Sequence, residues 1–109
     1  VYGDNDLVSI GNQYNEIVSG FTLHQNYPNP FNPATSLEFR IPEKGFVTLK
    51  VYDILGNEVT TLMNQNLSPG SYQVKWNGEG FASGVYFYEL SVTGSSSKFK
   101  ETKRMLLLK

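Results

Sequence analysis

The chain contains no cysteine, so it can build neither a disulfide framework nor a thiolate metal site or nucleophile. It has one histidine, His24, with no second histidine or clustered acid beside it, which makes that residue a surface position before it is a ligand or a base. Charge is scarce as well: charged residues are 17% of the chain and the net charge is −1, so there is no electrostatic footprint for nucleic acid or an anionic membrane. No run approaches the roughly 20 apolar residues of a membrane-spanning helix. No basic segment followed by an apolar stretch opens the chain, and a secreted protein would carry that signal upstream of Val1. There is no Gly-x-Ser-x-Gly elbow, and Ser83-Gly84 has no base in sequence reach. Asp53 and Glu58 are separated by a turn and flank no recognisable site. Asp4-Asn5-Asp6 lacks the following glycine and distal glutamate of a calcium loop and reads as a solvated turn. These absences argue against an enzyme, a metal and a cofactor.

What the chain does have is aromatic residues, at 14%, and ten glycines, a composition that suits short strands joined by tight turns. Its 109 residues are enough for one domain with its own core. Residues 1–20 are polar and punctuated by glycine, and read as a linker or lead-in; residues 21–109 read as one β-domain. Phe21–His24 alternates and is a candidate first strand. Ser36–Ile41 places Leu37, Phe39 and Ile41 on one face, and Phe46–Tyr52 does the same with Val47, Leu49 and Val51. Pro42-Glu43-Lys44-Gly45 lies between them, so the two are expected to pair as a hairpin. Further strands are expected over Glu58–Met63, with polar connection at Asn64–Ser68, then over Ser71–Trp76, Gly84–Val92 and Lys98–Lys109. In the last of these the apolar and charged residues share a period-two face, which calls for a bulge near Thr102–Arg104. The expected core adds Tyr72, Val74, Trp76, Tyr86, Tyr88 and Leu90 to the six residues already named. No helical period is found. Short strands at even spacing with turn residues between them predict an all-β sandwich.

One stretch delivers the chain into that sandwich. In Asn26-Tyr27-Pro28-Asn29-Pro30-Phe31-Asn32-Pro33-Ala34-Thr35, three prolines fix backbone angles and remove donors, so neither a helix nor a central strand can pass through. Asn29 and Asn32 precede prolines and are biased toward extended geometry. The expectation is an ordered strap across an edge of the domain, with Tyr27 or Phe31, or both, buried.

Leu23 to Thr35 resembles the opening signature of the C-terminal sorting domain (type A) of the type IX, or Por, secretion system. Val51-Tyr52-Asp53-Ile54-Leu55-Gly56-Asn57-Glu58-Val59 is similar to its central hairpin motif. Ala82-Ser83-Gly84-Val85-Tyr86-Phe87-Tyr88 is similar to its penultimate strand, and Lys103-Arg104-Met105-Leu106-Leu107-Leu108-Lys109 to its terminal motif. The order and spacing match over residues 21–109.

The resemblance implies an immunoglobulin-like β-sandwich of about seven antiparallel strands. It implies a non-catalytic tag that directs a cargo, fused upstream in the same precursor, through the periplasm and across the outer membrane. The implied partners are the type IX translocon and a surface sortase-like peptidase, with no nucleic acid and no transmembrane segment, and the implied destination is the cell surface or the exterior. Lys103, Arg104, Met105, Leu106, Leu107, Leu108 and Lys109 become the candidate recognition signal. Tyr27, Pro28, Asn29, Pro30, Phe31, Pro33, Gly56, Trp76, Gly84 and Tyr86 become its structural motif. The alternative reading is a carbohydrate-binding or adhesive module, which would use exposed rings from among Tyr2, Tyr14, Tyr52, Phe81 and Phe87. Trp76 points inward by alternation and belongs to the core.

Overall fold

A computed structural model describes residues 20–109. Asp4–Asp6, Tyr2, Tyr14 and all but the last residue of the lead-in fall outside the described residues. The described chain is all-β: β1 (Thr22–Leu23), β2 (Ala34–Ile41), β3 (Gly45–Tyr52), β4 (Glu58–Leu67), β5 (Gly70–Asn77), β6 (Gly84–Gly94) and β7 (Lys98–Leu107). One sheet has the order β1-β2-β5 and the other β4-β3-β6-β7, with every pairing between strands antiparallel. This is an immunoglobulin-like sandwich in which the fourth strand lies with the third, sixth and seventh, rather than with the first, second and fifth as in constant-type domains.

The alternation in the sequence decides which side chains face in. Leu37, Phe39 and Ile41 of β2, Val47, Leu49 and Val51 of β3, and Tyr86, Tyr88 and Leu90 of β6 are all buried, together with Trp76. Tyr72 and Val74 are only partly buried, because β5 is an edge of its sheet. Leu23, Phe31, Val92, Met105 and Leu107 complete the core.

Three expectations are corrected. First, β2 and β3 do not form a hairpin. β2 pairs over its whole length with β5, and β3 lies between β4 and β6, so residues 42–44 carry the chain from one sheet to the other. The apolar faces of β2 and β3 therefore oppose each other across the sandwich. Alternation fixes the buried face but is the same whether two strands are neighbours in a sheet or partners across the core. Second, β4 does not end at Met63 but continues through Asn64–Leu67, pairing with Gly45–Thr48. It is a sheet edge, where a ladder forms with polar side chains standing in solvent. Third, β6 and β7 pair in one unbroken register from Gly84↔Leu107 to Thr93↔Lys98, with no bulge. The inward-pointing face of β7 runs through Glu101 and Lys103, which are only partly buried. Glu101 and Lys103 stay on that face as an ion pair at 3.3 Å and have no need to rephase.

Tyr88 ties the lead-in of the strap to the core. Its buried hydroxyl donates to the carbonyl of His24 at 2.7 Å and accepts from the amide of Asn26 at 2.8 Å. Burial is the main cause that pushes this phenol up to about 12, whereas an unfolded tyrosine ionises at ~10. The folded value lies above the unfolded one. The stabilisation from the neutral hydroxyl is thus complete below pH ~10 and is lost as the pH rises through the folded value. Denaturant titrations should show stability falling from about pH 10 upward, by at most about 1.4 kcal/mol per pH unit from this group. Tyr88→Phe should lack that step while being less stable at neutral pH, because the Asn26 amide and His24 carbonyl each lose a partner.

Candidate functional site: the seam between strap and terminal strand

The strap closes on itself before it touches anything else. The Asn26 side-chain amide donates to the Pro28 carbonyl at 3.1 Å and to Thr35 Oγ1 at 3.0 Å, and Thr35 Oγ1 donates to the same carbonyl at 2.9 Å. Tyr27 and Ser36 exchange both backbone hydrogen bonds, at 3.0 and 2.9 Å. Asn26 and Thr35 are the two buried polar residues of the described chain, and these bonds satisfy them. The sequence reading singled out the prolines and rings and missed this pair; the signal available was a polar residue at each end of the proline run.

Closed in this way, the strap separates its two rings. Phe31 is buried, with its ring 5.7 Å from Trp76, while Tyr27 is 81% exposed. Trp76 also meets Phe81 and Tyr86, each at 5.4 Å. The Tyr86 hydroxyl donates to the Ala82 carbonyl at 2.7 Å, the tyrosine corner of immunoglobulin-like sandwiches. Gly84, which opens β6, has φ of +149°, a region that is essentially glycine's alone.

The seam forms where the strap meets the free side of β7. The Leu106 amide donates to Asn29 Oδ1 at 3.0 Å, and the Leu106 carbonyl accepts from the Phe31 amide at 3.0 Å. The Leu108 amide donates to the Phe31 carbonyl at 2.9 Å, and the Gln25 side chain donates to the Arg104 carbonyl at 2.7 Å. Asn29, Pro30, Val85, Arg104, Met105 and Leu106 line an open, mostly apolar cleft of about 280 Å³ along this seam. The opening signature, the penultimate strand and the terminal motif, far apart in sequence, therefore meet in one place.

Within the terminal motif, Met105 and Leu107 are buried and Leu106 is half-buried, while Leu108 is 48% exposed. Arg104 and Lys109 are exposed and Lys103 is half-exposed. The Lys109 amide donates to Ser83 Oγ at 3.0 Å and its ammonium to the Glu79 carbonyl. Pro28, Asn29 and Pro30 lie on the surface and Pro33 is half-buried.

Gly56 lies apart from the seam. It has φ of +88° in the turn that follows β3, where Asp53 Oδ1 accepts the amides of Leu55 and Asn57, both at 2.9 Å. The Asn57 amide is the first cause holding the Asp53 carboxyl below the ordinary range. This braced turn presents Ile54 and Leu55 at 68% and 82% exposure.

Among the described residues no three His, Cys, Asp or Glu side chains gather to hold a metal, and no helix is long and apolar enough to cross a membrane. Three of the rings considered for glycan binding lie among the described residues, and none of the three is fully exposed. Phe81 packs on Trp76 and Tyr86, and Tyr52 and Phe87 are half-buried.

Geometry and topology thus define an immunoglobulin-like sandwich whose terminal strand is strapped along part of its free edge. Residues 25–106 match the model of the secretion system C-terminal sorting domain, and the chain belongs to that family, the sorting domains of type IX secretion. Membership implies export across the outer membrane to the cell surface or exterior. Among curated proteins, none matches the sequence. Solved structures share the fold. CopC from Methylosinus trichosporium OB3b aligns at 14% identity over 80% of this chain and 92% of its own, with a TM-score of 0.52. A β-glucuronidase of Parabacteroides merdae aligns at 20% identity over 80% of this chain, with a TM-score of 0.53, and this chain spans only 14% of that enzyme.

Proposed function

We propose that this domain is a non-catalytic sorting and anchoring module, and that the translocon recognises it at the strapped terminal strand. The observation that carries this reading is the convergence of three family motifs on one seam. The cargo would be fused upstream, with residues 1–20 as the connection in which a surface sortase-like peptidase cuts. Limited proteolysis of the fused protein should cut there first, and first cuts inside 36–109 would contradict that boundary.

Deleting Lys103–Lys109 should leave cargo synthesised and exported to the periplasm but stranded there. Deletion also removes the buried Met105 and Leu107, so a folded control is needed. Lys103→Gln with Arg104→Gln changes charge at one partly buried and one exposed position; it breaks the Lys103–Glu101 ion pair, a partly exposed pair worth about 1 kcal/mol or less, and should leave the fold intact. A deletion variant that reached the surface at wild-type levels would refute recognition at the tail. A double-glutamine variant that did so would assign recognition to the leucines and backbone instead of the charges.

A further inference from the structure

The strap covers only part of the free edge of β7. The backbone groups of β7 that point away from β6 belong to alternate residues, and Leu106 fixes the phase, since both its amide and its carbonyl bond to the strap. By the same alternation, the outward groups nearer the start of β7 are those of Lys100 and Thr102 and the amide of Arg104. Among the described residues none of these has a backbone partner. The other edge of this sheet, β4, carries two register shifts, which spoil a template for pairing. β7 has none, and its guard is charge: Lys98, Lys100 and Arg104 stand along its outer face, with Thr102 between the last two bonded to the Glu89 carboxylate of β6 at 3.3 Å. A second copy of the strand would set these cations against one another. A strand with carboxylates at every second residue would match them.

We infer that the uncovered half of β7, from Lys98 to Arg104, is a strand-addition site for an extended, acidic segment of a partner protein, which lengthens the four-stranded sheet by one strand. This deepens the proposed function and rests on its premise that a translocon component meets the terminal strand. Backbone bonds to Lys100, Thr102 and Arg104 would hold the segment, and the alternating cations would select it and set its register. Lysine on an edge ordinarily guards against indiscriminate pairing. Here the same lysines admit a strand that brings the opposite charge.

The decisive variant is Thr102→Pro. Its amide faces away from β6, so proline removes a docking donor without removing a bond of the β6–β7 ladder. The probe is a synthetic hexapeptide alternating threonine and glutamate, titrated into the full chain. Binding should slow amide exchange at Lys100, Thr102 and Arg104 in particular. Thr102→Pro, checked for folding by thermal melt, should weaken it about tenfold or more, as should N-methylating the peptide at alternate residues. Lys98→Gln with Lys100→Gln should weaken it and flatten its salt dependence. Methylated peptide needs no change to the protein, so the test survives a Thr102→Pro variant that fails to fold. Absence of binding at millimolar peptide would overturn the inference. So would binding that depends on the lysines but ignores methylation and proline, the behaviour of a polyanion or a lipid headgroup. In cells, if cargo carrying Thr102→Pro is delivered normally while the tail deletion strands it, strand addition is wrong and tail recognition stands. If both are delivered, tail recognition is wrong as well.

Discussion

Trp76→Ala should lower the unfolding free energy by about 3–5 kcal/mol, the usual cost of truncating a buried tryptophan. The side chain sits at the centre of a cluster with Phe31, Phe81 and Tyr86. These come from the strap, the loop before β6 and the start of β6, so no single element can collapse to fill the cavity. Against the ~5–15 kcal/mol that stabilises an ordinary domain, such a loss threatens the fold. In denaturant titrations the midpoint should fall while the slope holds, the pattern of lost stability without a change in surface exposed. A loss below about 1 kcal/mol would mean that Trp76 is not the central packing residue.

Phe31→Ala should cost a similar ~3–5 kcal/mol, and its effect should also be local. Phe31 is the point at which the strap is pinned, with its ring in the core and both its backbone groups on the end of β7. Without the ring, the strap should lift. Hydrogen exchange should then speed up at the Leu106 and Leu108 amides, which bond to Asn29 and Phe31. The Met105 and Leu107 amides, which face β6 by alternation, should keep their protection until the whole sandwich opens. Uniform acceleration across β7 would show that strap and strand come apart only by global unfolding.

The buried face of each central strand was legible in the sequence because side-chain period two is a local property. Leu37-Phe39-Ile41 and Val47-Leu49-Val51 could be phased with no knowledge of what lay opposite, and Trp76 could be placed in the core by its neighbours in β5. Pairing is not local. Residues 42–44 look like a hairpin turn, and only the full-length match of β2 with β5 shows that they cross between sheets. The missing bulge in β7 has the same origin: Glu101 and Lys103 seemed misplaced on an apolar face, and only the folded chain shows that they meet there as an ion pair.

The candidate site was legible as separate motifs and not as a site. The proline run, the Gly84 strand opening and the terminal leucines each stood out. That Asn29 and Phe31 cap Leu106 and Leu108 depends on contacts between residues more than seventy positions apart, as the Leu106–Asn29 bond shows at a separation of 77. No periodicity reports contacts of that range. The side-chain division within the candidate signal, by contrast, follows from alternation and from the cost of burying charge. Met105 and Leu107 serve the core, while Arg104, Leu108 and Lys109 face solvent.

The most direct measurement is the surface fraction of a periplasmic reporter fused ahead of this whole chain, in a bacterium with an active type IX system and in the same strain with the translocon disabled. The reporter should appear on the cell surface or in the medium in the first strain and stay in the periplasm in the second. A folded fusion that remained in the periplasm of the competent strain, or that reached the surface without the translocon, would contradict the sorting function.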